Sequence, residues 1–251
     1  KGRYLAEVSA RYDGSSRFAV GHKWGFFPSA SLGWRISEEP FFAPIKSMVN
    51  NLKFRASYGT LGNQKTSSNY TFMRLVNFRT FSGYNFGGSD MARYTNLDDP
   101  VSSDLTWETT QQSNIGIDLG MFNNRLDFTA EAYIRNTIGM LTEGMDLPAV
   151  YGASEPEMNA ADLSTKGFEL SLSWRDSFKE FNYGFKPTLS YYTTHITKFA
   201  NKDKLLSNFY EGMEVGEIWG FKTDGLFKST EEAIAYTTAH DQSYFNANLN
   251  G

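Results

Sequence analysis

The sequence predicts an all-β fold, a transmembrane antiparallel β-barrel, on three observations. Apolar and polar residues alternate through seven separate stretches. The long connections between those stretches fall at one end of them and the short ones at the other. Aromatic residues make up 16% of the 251-residue chain, yet the mean hydropathy is −0.45. No run of about 18 apolar residues is present, which excludes a transmembrane helix. A polar average with abundant aromatics and no hydrophobic runs is the weak signature of a membrane barrel.

The stretches follow in order, and in each the side chains of successive residues point to opposite faces. Near 4–13, Tyr4, Ala6, Val8, Ala10 and Tyr12 share one face against Glu7, Ser9, Arg11 and Asp13. Near 27–36, "FPSASLGWRI" sets Ala30, Leu32, Trp34 and Ile36 against Ser29, Ser31, Gly33 and Arg35. Near 52–60, Leu52, Phe54, Ala56 and Tyr58 oppose Lys53, Arg55, Ser57 and Gly59. From 105 to 121 one phase holds from Leu105 and Trp107 through Ile115, Ile117 and Leu119 to Met121. That is longer than the roughly 9–11 residues a tilted strand needs to cross a bilayer, so its outer half is expected to rise above the membrane. Near 126–137, Leu126, Phe128, Ala130, Ala132 and Ile134 oppose Asp127, Thr129, Glu131, Tyr133 and Arg135. Near 167–175, Phe168, Leu170, Leu172 and Trp174 oppose Glu169, Ser171, Ser173 and Arg175. Near 183–195, Tyr183, Phe185, Leu189 and Tyr191 share a face, with Pro187 removing one ladder hydrogen bond.

Alternation alone also fits a soluble sandwich, whose outer faces alternate as well. The connections favour the barrel. Residues 122–125 and 176–182 are short links, whereas 61–104, 138–165 and 196–251 are long, and the long ones lie together. Outer-membrane barrels place short turns on the periplasmic side and long loops outside. With that orientation, Tyr12, Tyr58 and Tyr191 form an outer aromatic girdle and Trp34, Phe122 and Trp174 an inner one, the lipid-interface placement a bilayer selects. The whole of 1–251 then reads as part of one outer-membrane β-barrel domain.

Composition excludes several functions. There is no Cys, so no disulfide, thiolate metal site or cysteine nucleophile. A net charge of −4 and a pI near 5.5 give no footprint for nucleic acid. His22, His195 and His240 are scattered and form no zinc spacing. Asn96-Leu97-Asp98-Asp99-Pro100 lacks the twelve-residue calcium-loop spacing and reads as a solvated turn. Asp13-Gly14-Ser15-Ser16 reads as turn chemistry, and Glu38-Glu39-Pro40-Phe41-Phe42 as a short capped helix with the phenylalanines folded under the barrel. No catalytic residues, metal ligands or cofactor motif emerge, so no enzyme is expected.

Five segments resemble the barrel signatures of the SusC/RagA family of TonB-dependent outer-membrane transporters of the Bacteroidetes. They are "RYDGSSRF" (11–18), "KWGFFPSASLGWRISEEPFF" (23–42), "LKFRASYGTLGNQ" (52–64), "LTWETTQQSNIGIDLGMFNNRL" (105–126) and "NAADLSTKGFELSLSW" (159–174); "GEIWGFKTDGLFKSTEEA" (216–233) is similar to a segment further along. The resemblance implies a 22-stranded barrel around an internal plug, a TonB contact, and a SusD-like surface lipoprotein acting as a lid. It implies energy-dependent import of an oligomeric nutrient, glycan or peptide, across the outer membrane of a Gram-negative bacterium. No plug or TonB box is recognisable in these residues, so the chain reads as a piece of the wall. The competing classes are a passive porin, which would need no energy, and a soluble carbohydrate-binding β-sandwich, which would fold without detergent.

One loop is a candidate for substrate contact. "FRTFSGYNFGGSDMARYTN" (78–96) sets Phe81, Tyr84, Phe86 and Tyr94 among Gly, Ser and Asn. Aromatic faces flanked by hydrogen-bonding side chains suit a sugar ring or an extended peptide. The same rings would equally pack the loop against its neighbours or against the lipoprotein lid.

Overall fold

The structure is a computed structural model that describes residues 2–67, 69–80, 93–143, 148–223 and 225–240. The chain divides into two compact units, Lys1–Glu217 and Ile218–Gly251. The first is built on one antiparallel sheet. Its strands are β1 (Tyr4–Gly14), β2 (Trp24–Arg35), β3 (Val49–Asn63), β6 (Glu108–Met121), β7 (Leu126–Glu143), β8 (Glu157–Phe178), β9 (Phe181–Phe185) and β10 (Thr188–Lys198). The order is β1-β2-β3-β6-β7-β8-β10, with β9 paired to the inner end of β8. Between β3 and β6 lies a separate two-stranded hairpin of β4 (Val76–Thr80) and β5 (Arg93–Leu97).

The register joins the apolar residues of every strand into one face. Tyr4 pairs with Trp34, Trp34 with Phe54, Phe54 with Ile117, Ile117 with Ala130, Ala130 with Leu170 and Leu170 with Leu189. A one-residue slip anywhere in this row would send a whole strand's apolar set to the other side, so the pattern itself specifies the register. The described residues leave most of that face uncovered: Val8 is 82% exposed and Leu32 63%. A contiguous apolar sheet face of this extent requires lipid. The fold is a transmembrane antiparallel β-barrel wall, and its buried core is small because the bilayer takes the core's place.

The inner turns are tight and tied together. Phe122, Asn123 and Asn124 have φ of 54°, 55° and 61°, a left-handed run that Asn tolerates and that reverses the chain between β6 and β7. The Phe122 N–H donates to the Met48 carbonyl at 2.9 Å, and the Arg175 N–H to the Arg125 carbonyl at 2.8 Å.

Several strand limits differ from the sequence reading, each for a physical reason. The stretch 105–121 is a strand only from Glu108; Leu105 and Trp107 leave the ladder and fold onto the polar face, so their shared phase was coincidental. The stretch 183–195 is two strands, interrupted at Lys186-Pro187. The expected loop 138–165 is mostly strand: β7 runs to Glu143 and β8 begins at Glu157, in segments polar enough on both faces to hide the alternation. The stretch 38–42 forms two 3₁₀ turns, Ile36–Glu38 and Pro40–Ile45, without a side-chain cap. Phe42 is buried there while Phe41 is exposed.

In the second unit, helix α1 (Thr230–Ala239) starts at the N-cap Ser229. The Ser229 Oγ accepts from the Glu232 N–H at 3.3 Å, and the Glu232 carboxylate accepts from the Lys228 N–H at 2.7 Å.

Candidate functional site

The face opposite the apolar one carries the chemistry. Because side chains alternate, each strand of the apolar face delivers its polar residues here in the same register. At the centre, the Lys53 ammonium lies 2.9 Å from Asp118, and the Arg55 guanidinium 3.5 Å from Asp118 and 2.7 Å from Glu131. Arg55 and Glu131 sit on β3 and β7, with β6 between them. The residue between them in the row is Gly116, and a Cβ there would lie 2.9 Å from the Arg55 Cζ. The missing side chain lets the guanidinium cross one strand to reach its carboxylate. Glu169 opposes Glu131 across β7 and β8, so the row carries acid beyond what Arg55 balances. Glu7, Ser31, Ser57 and Asn114 continue the surface as a hollow of about 500 Å³.

Toward the outer ends of β2, β3 and β6 the same face is closed by an aromatic cluster. Phe18 and Leu105 are fully buried. The Trp107 ring lies 5.5 Å from that of Phe18 and 5.4 Å from that of Phe27. Its indole N–H donates to the Lys23 carbonyl at 3.1 Å. Phe27 lies against Gly62, where any side chain would collide with the ring. The loop that supplies Phe18 is held by Ser15, whose N–H donates to the Lys23 carbonyl at 2.9 Å and whose Oγ accepts from the Arg17 N–H at 3.2 Å. The serine of the Asp-Gly-Ser-Ser motif thus anchors an inward-turned loop.

The residues expected at the lipid interface lie on the apolar face. Tyr12 stacks on Trp24 at 5.0 Å with an interplanar angle of 3°. Tyr191 contacts Phe168 at 6.0 Å, Phe122 contacts Trp174 at 6.3 Å, and Trp34 stacks on Tyr4 at 6.4 Å. Tyr58 is half-exposed beside Ala30 and Ser113. Trp24 escaped the sequence reading; it stands at the very start of β2, ahead of the stretch where alternation declares itself. At the inner end, the Tyr4 hydroxyl donates to Glu39 at 2.8 Å and the Trp34 indole N–H at 3.1 Å. Those two hydrogen bonds, with Arg3 3.6 Å away, hold the Glu39 carboxyl below the usual carboxylate range.

The two sets of rings are offset along the strands by the same rule. Trp174 lies four residues inward of Leu170, the β8 member of the Trp34 row, after four strand steps. Tyr12 lies eight residues outward of Tyr4, while Tyr191, six strand steps away, lies two outward of Leu189 in the same row. Between these end members each edge moves on average one residue per strand in the same direction, while Tyr58, four outward of Phe54, and Phe122, five inward of Ile117, lie two and three residues off those lines. With about 3.4 Å per residue and about 4.8 Å between strands, that slope is about 35°.

Of the loop aromatics, Phe81, Tyr84 and Phe86 lie outside the described residues. Tyr94 is on β5, half-exposed and paired across the hairpin with Arg79. The described residues therefore do not bring the four together.

A sheet with a lipid-requiring face backed by an ion-paired polar face is the wall of a membrane barrel. Residues 1–231 match the family model described as TonB dependent receptor-like, beta-barrel, and the chain belongs to that family. It is 33% identical to a TonB-dependent receptor of Formosa agariphila over 100% of this chain and 24% of that protein. It is 30% identical to the TonB-dependent receptor SusC of Bacteroides thetaiotaomicron over 86% of this chain and 21% of that protein. Structures of the RagAB peptide importer in closed-closed and open-open states each superpose with a TM-score of 0.69 over 80% of this chain and 21% of theirs, at 26% and 27% identity. The chain thus spans about a quarter of the length of the curated relatives it matches.

Proposed function

We propose that this chain is part of the wall of a TonB-dependent importer in the outer membrane, carrying an oligomeric glycan or peptide. A SusD-like lipoprotein would close over its long loops, and TonB would supply the work from the periplasmic side. The observation that carries the membrane placement is the common slope of the two aromatic edges. Strands of outer-membrane barrels tilt by about 35–45°, and a flat bilayer crossing such strands must meet them at positions that move steadily along the sheet. Tyr12, Tyr58 and Tyr191 then mark the outer interface, and Trp34, Phe122 and Trp174 the inner one. Relatives named as TonB-dependent receptors, and a structural likeness to a peptide importer, support transport over catalysis. The polar face, with its paired Lys53, Arg55, Asp118 and Glu131, suits a wetted interior that a plug must fill.

The test is genetic. Deleting the full gene should abolish growth on one oligomeric nutrient, and removing TonB should reproduce the loss while small solutes enter as before. Uptake of that nutrient at the normal rate without TonB or proton-motive force would make a passive porin the better account.

A further inference from the structure

Beyond the aromatic cluster, the outer ends of β7, β8 and β10 carry a second apolar feature on the polar face. It is a cavity of about 270 Å³ lined by Met140, Leu163, Ile196, Phe199, Phe209 and Val215. Its floor is buried, including Ile196 and Ala161, while Phe209 and Val215 at its rim are half-exposed, so it is preformed and open.

The backbone is irregular where this cavity needs it to be. β7 and β8 pair regularly to Thr137 and Leu163, after which Met140 faces Ala161 and Leu141 faces Asn159. One extra residue on β7 is answered at once by one on β8. Even-numbered residues of β7 otherwise belong to the lipid face; the double bulge brings Met140 to the polar face beside Leu141. Gly139 makes the kink at φ 68°. Its N–H is held by Asp162 at 2.8 Å, and its carbonyl accepts from the Asn159 side-chain amide at 2.6 Å. A further irregularity falls between Ile196 and Lys198 on β10. The chain then returns along that edge, the Ile196 N–H donating to the Met213 carbonyl at 2.9 Å and the Val215 N–H to the Thr194 carbonyl at 2.8 Å. This sets Phe209 edge-on to Phe199 at 5.8 Å. Bulges of this kind re-aim side chains at barrel rims and beside sites.

The lining selects the ligand chemistry. Among the described residues that line the cavity, Thr142 is the only one with a polar side chain. A sugar pressed into it would strand hydroxyls without partners, whereas an apolar side chain of Leu, Met or Phe size enters it with room to spare and leaves no polar group unpaired. Resting on the import reading above, we propose that this cavity is a subsite for a single apolar side chain of a transported oligopeptide.

The experiment uses the full-length transporter with its lipoprotein and two short Gly/Ser/Asn peptides that differ only in a central Leu or Ser. The unaltered protein should bind the Leu peptide about tenfold more tightly, the worth of one partly buried apolar side chain. Phe209→Ala and Val215→Asp, both at the exposed rim, should erase that preference and leave the Ser peptide unaffected. Equal binding of the two peptides, or an equal loss for both in the variants, overturns the proposal. If neither peptide binds but TonB-dependent uptake of a glycan persists, the subsite falls and the import reading stands; TonB-independent uptake strikes the import reading itself. Variants that release the lipoprotein without changing peptide preference make the cavity a socket for the lid and also overturn it.

Discussion

The same strands are built on opposite principles at their two ends. Within the bilayer, Leu32, Ile115 and Ile117 stay exposed on the protein because lipid completes the contact. On the polar face, from the level of Tyr12 outward, lipid is absent and the chain makes its own dry interior by turning Phe18, Phe27, Leu105 and Trp107 together. Where solvent supplies the apolar phase, alternation alone suffices. Where it does not, side chains must find each other, and loops and bulges replace the simple ladder.

The largest expected effect strikes the lipid-dependent half. Ile117→Arg, in the middle of the band, should cost about 2–4 kcal/mol of barrel stability, while Thr129→Arg on the opposite face of the neighbouring strand costs far less. Urea unfolding of the full-length protein in vesicles reads the difference; equal losses would undo the assignment of faces. Trp107→Ala tests the self-made interior. Deleting a half-buried indole from a packed cluster should cost about 2–3 kcal/mol. Because this cluster lies on the polar face, away from the lipid, the loss should be the same in thin and thick bilayers, whereas that of Ile117→Arg should grow with thickness.

Arg55→Met sharpens the comparison at the centre of the polar face. It leaves Asp118 and Glu131 facing each other without their shared cation, and about 1–2 kcal/mol should be lost. The double variant with Glu131→Gln should recover part of that in the same urea titration. The smallest effect belongs to Glu39. Its folded-state pKa is depressed by the Tyr4 and Trp34 hydrogen bonds, so its contribution is present above the ordinary value of 4.5 and is lost as pH falls through the folded value. Stability of the unaltered protein should therefore drop more steeply below pH 4.5 than that of Glu39→Gln; parallel curves would show the carboxylate to be idle.

How much was legible follows the same division. The lipid-facing rows, from Tyr4 through Trp34 and Phe54 to Leu189, could be read from period-two alternation because one physical demand acts on every second residue. Leu105 and Trp107 could not, since their phase matched the band while Phe18, against which Trp107 packs, lay in a distant loop. The outer parts of β7 and β8 looked like loop because Asn159 and Asp162 tie down the bulge at Gly139, which imposes no alternation. In the sequence Pro187 reads as the loss of one ladder hydrogen bond inside a single strand, whereas it ends β9 and separates it from β10. The ion-paired row across Gly116 was invisible for a different reason. Its members are 61 and 76 residues apart from Arg55 at Gly116 and Glu131, and only the register brings them together.

The advance of one residue per strand has a consequence for how such walls grow. A sheet obeying it returns, on closing, displaced along its first strand by as many residues as it has strands. Side chains change face at every residue, so a closure that keeps lipid side to lipid side needs an even displacement and hence an even number of strands. Adding a single strand would seal the cylinder with one seam inside out. Adding a hairpin shifts the seam by one full pleat and leaves both faces intact, so a barrel with this slope can change its girth only in pairs.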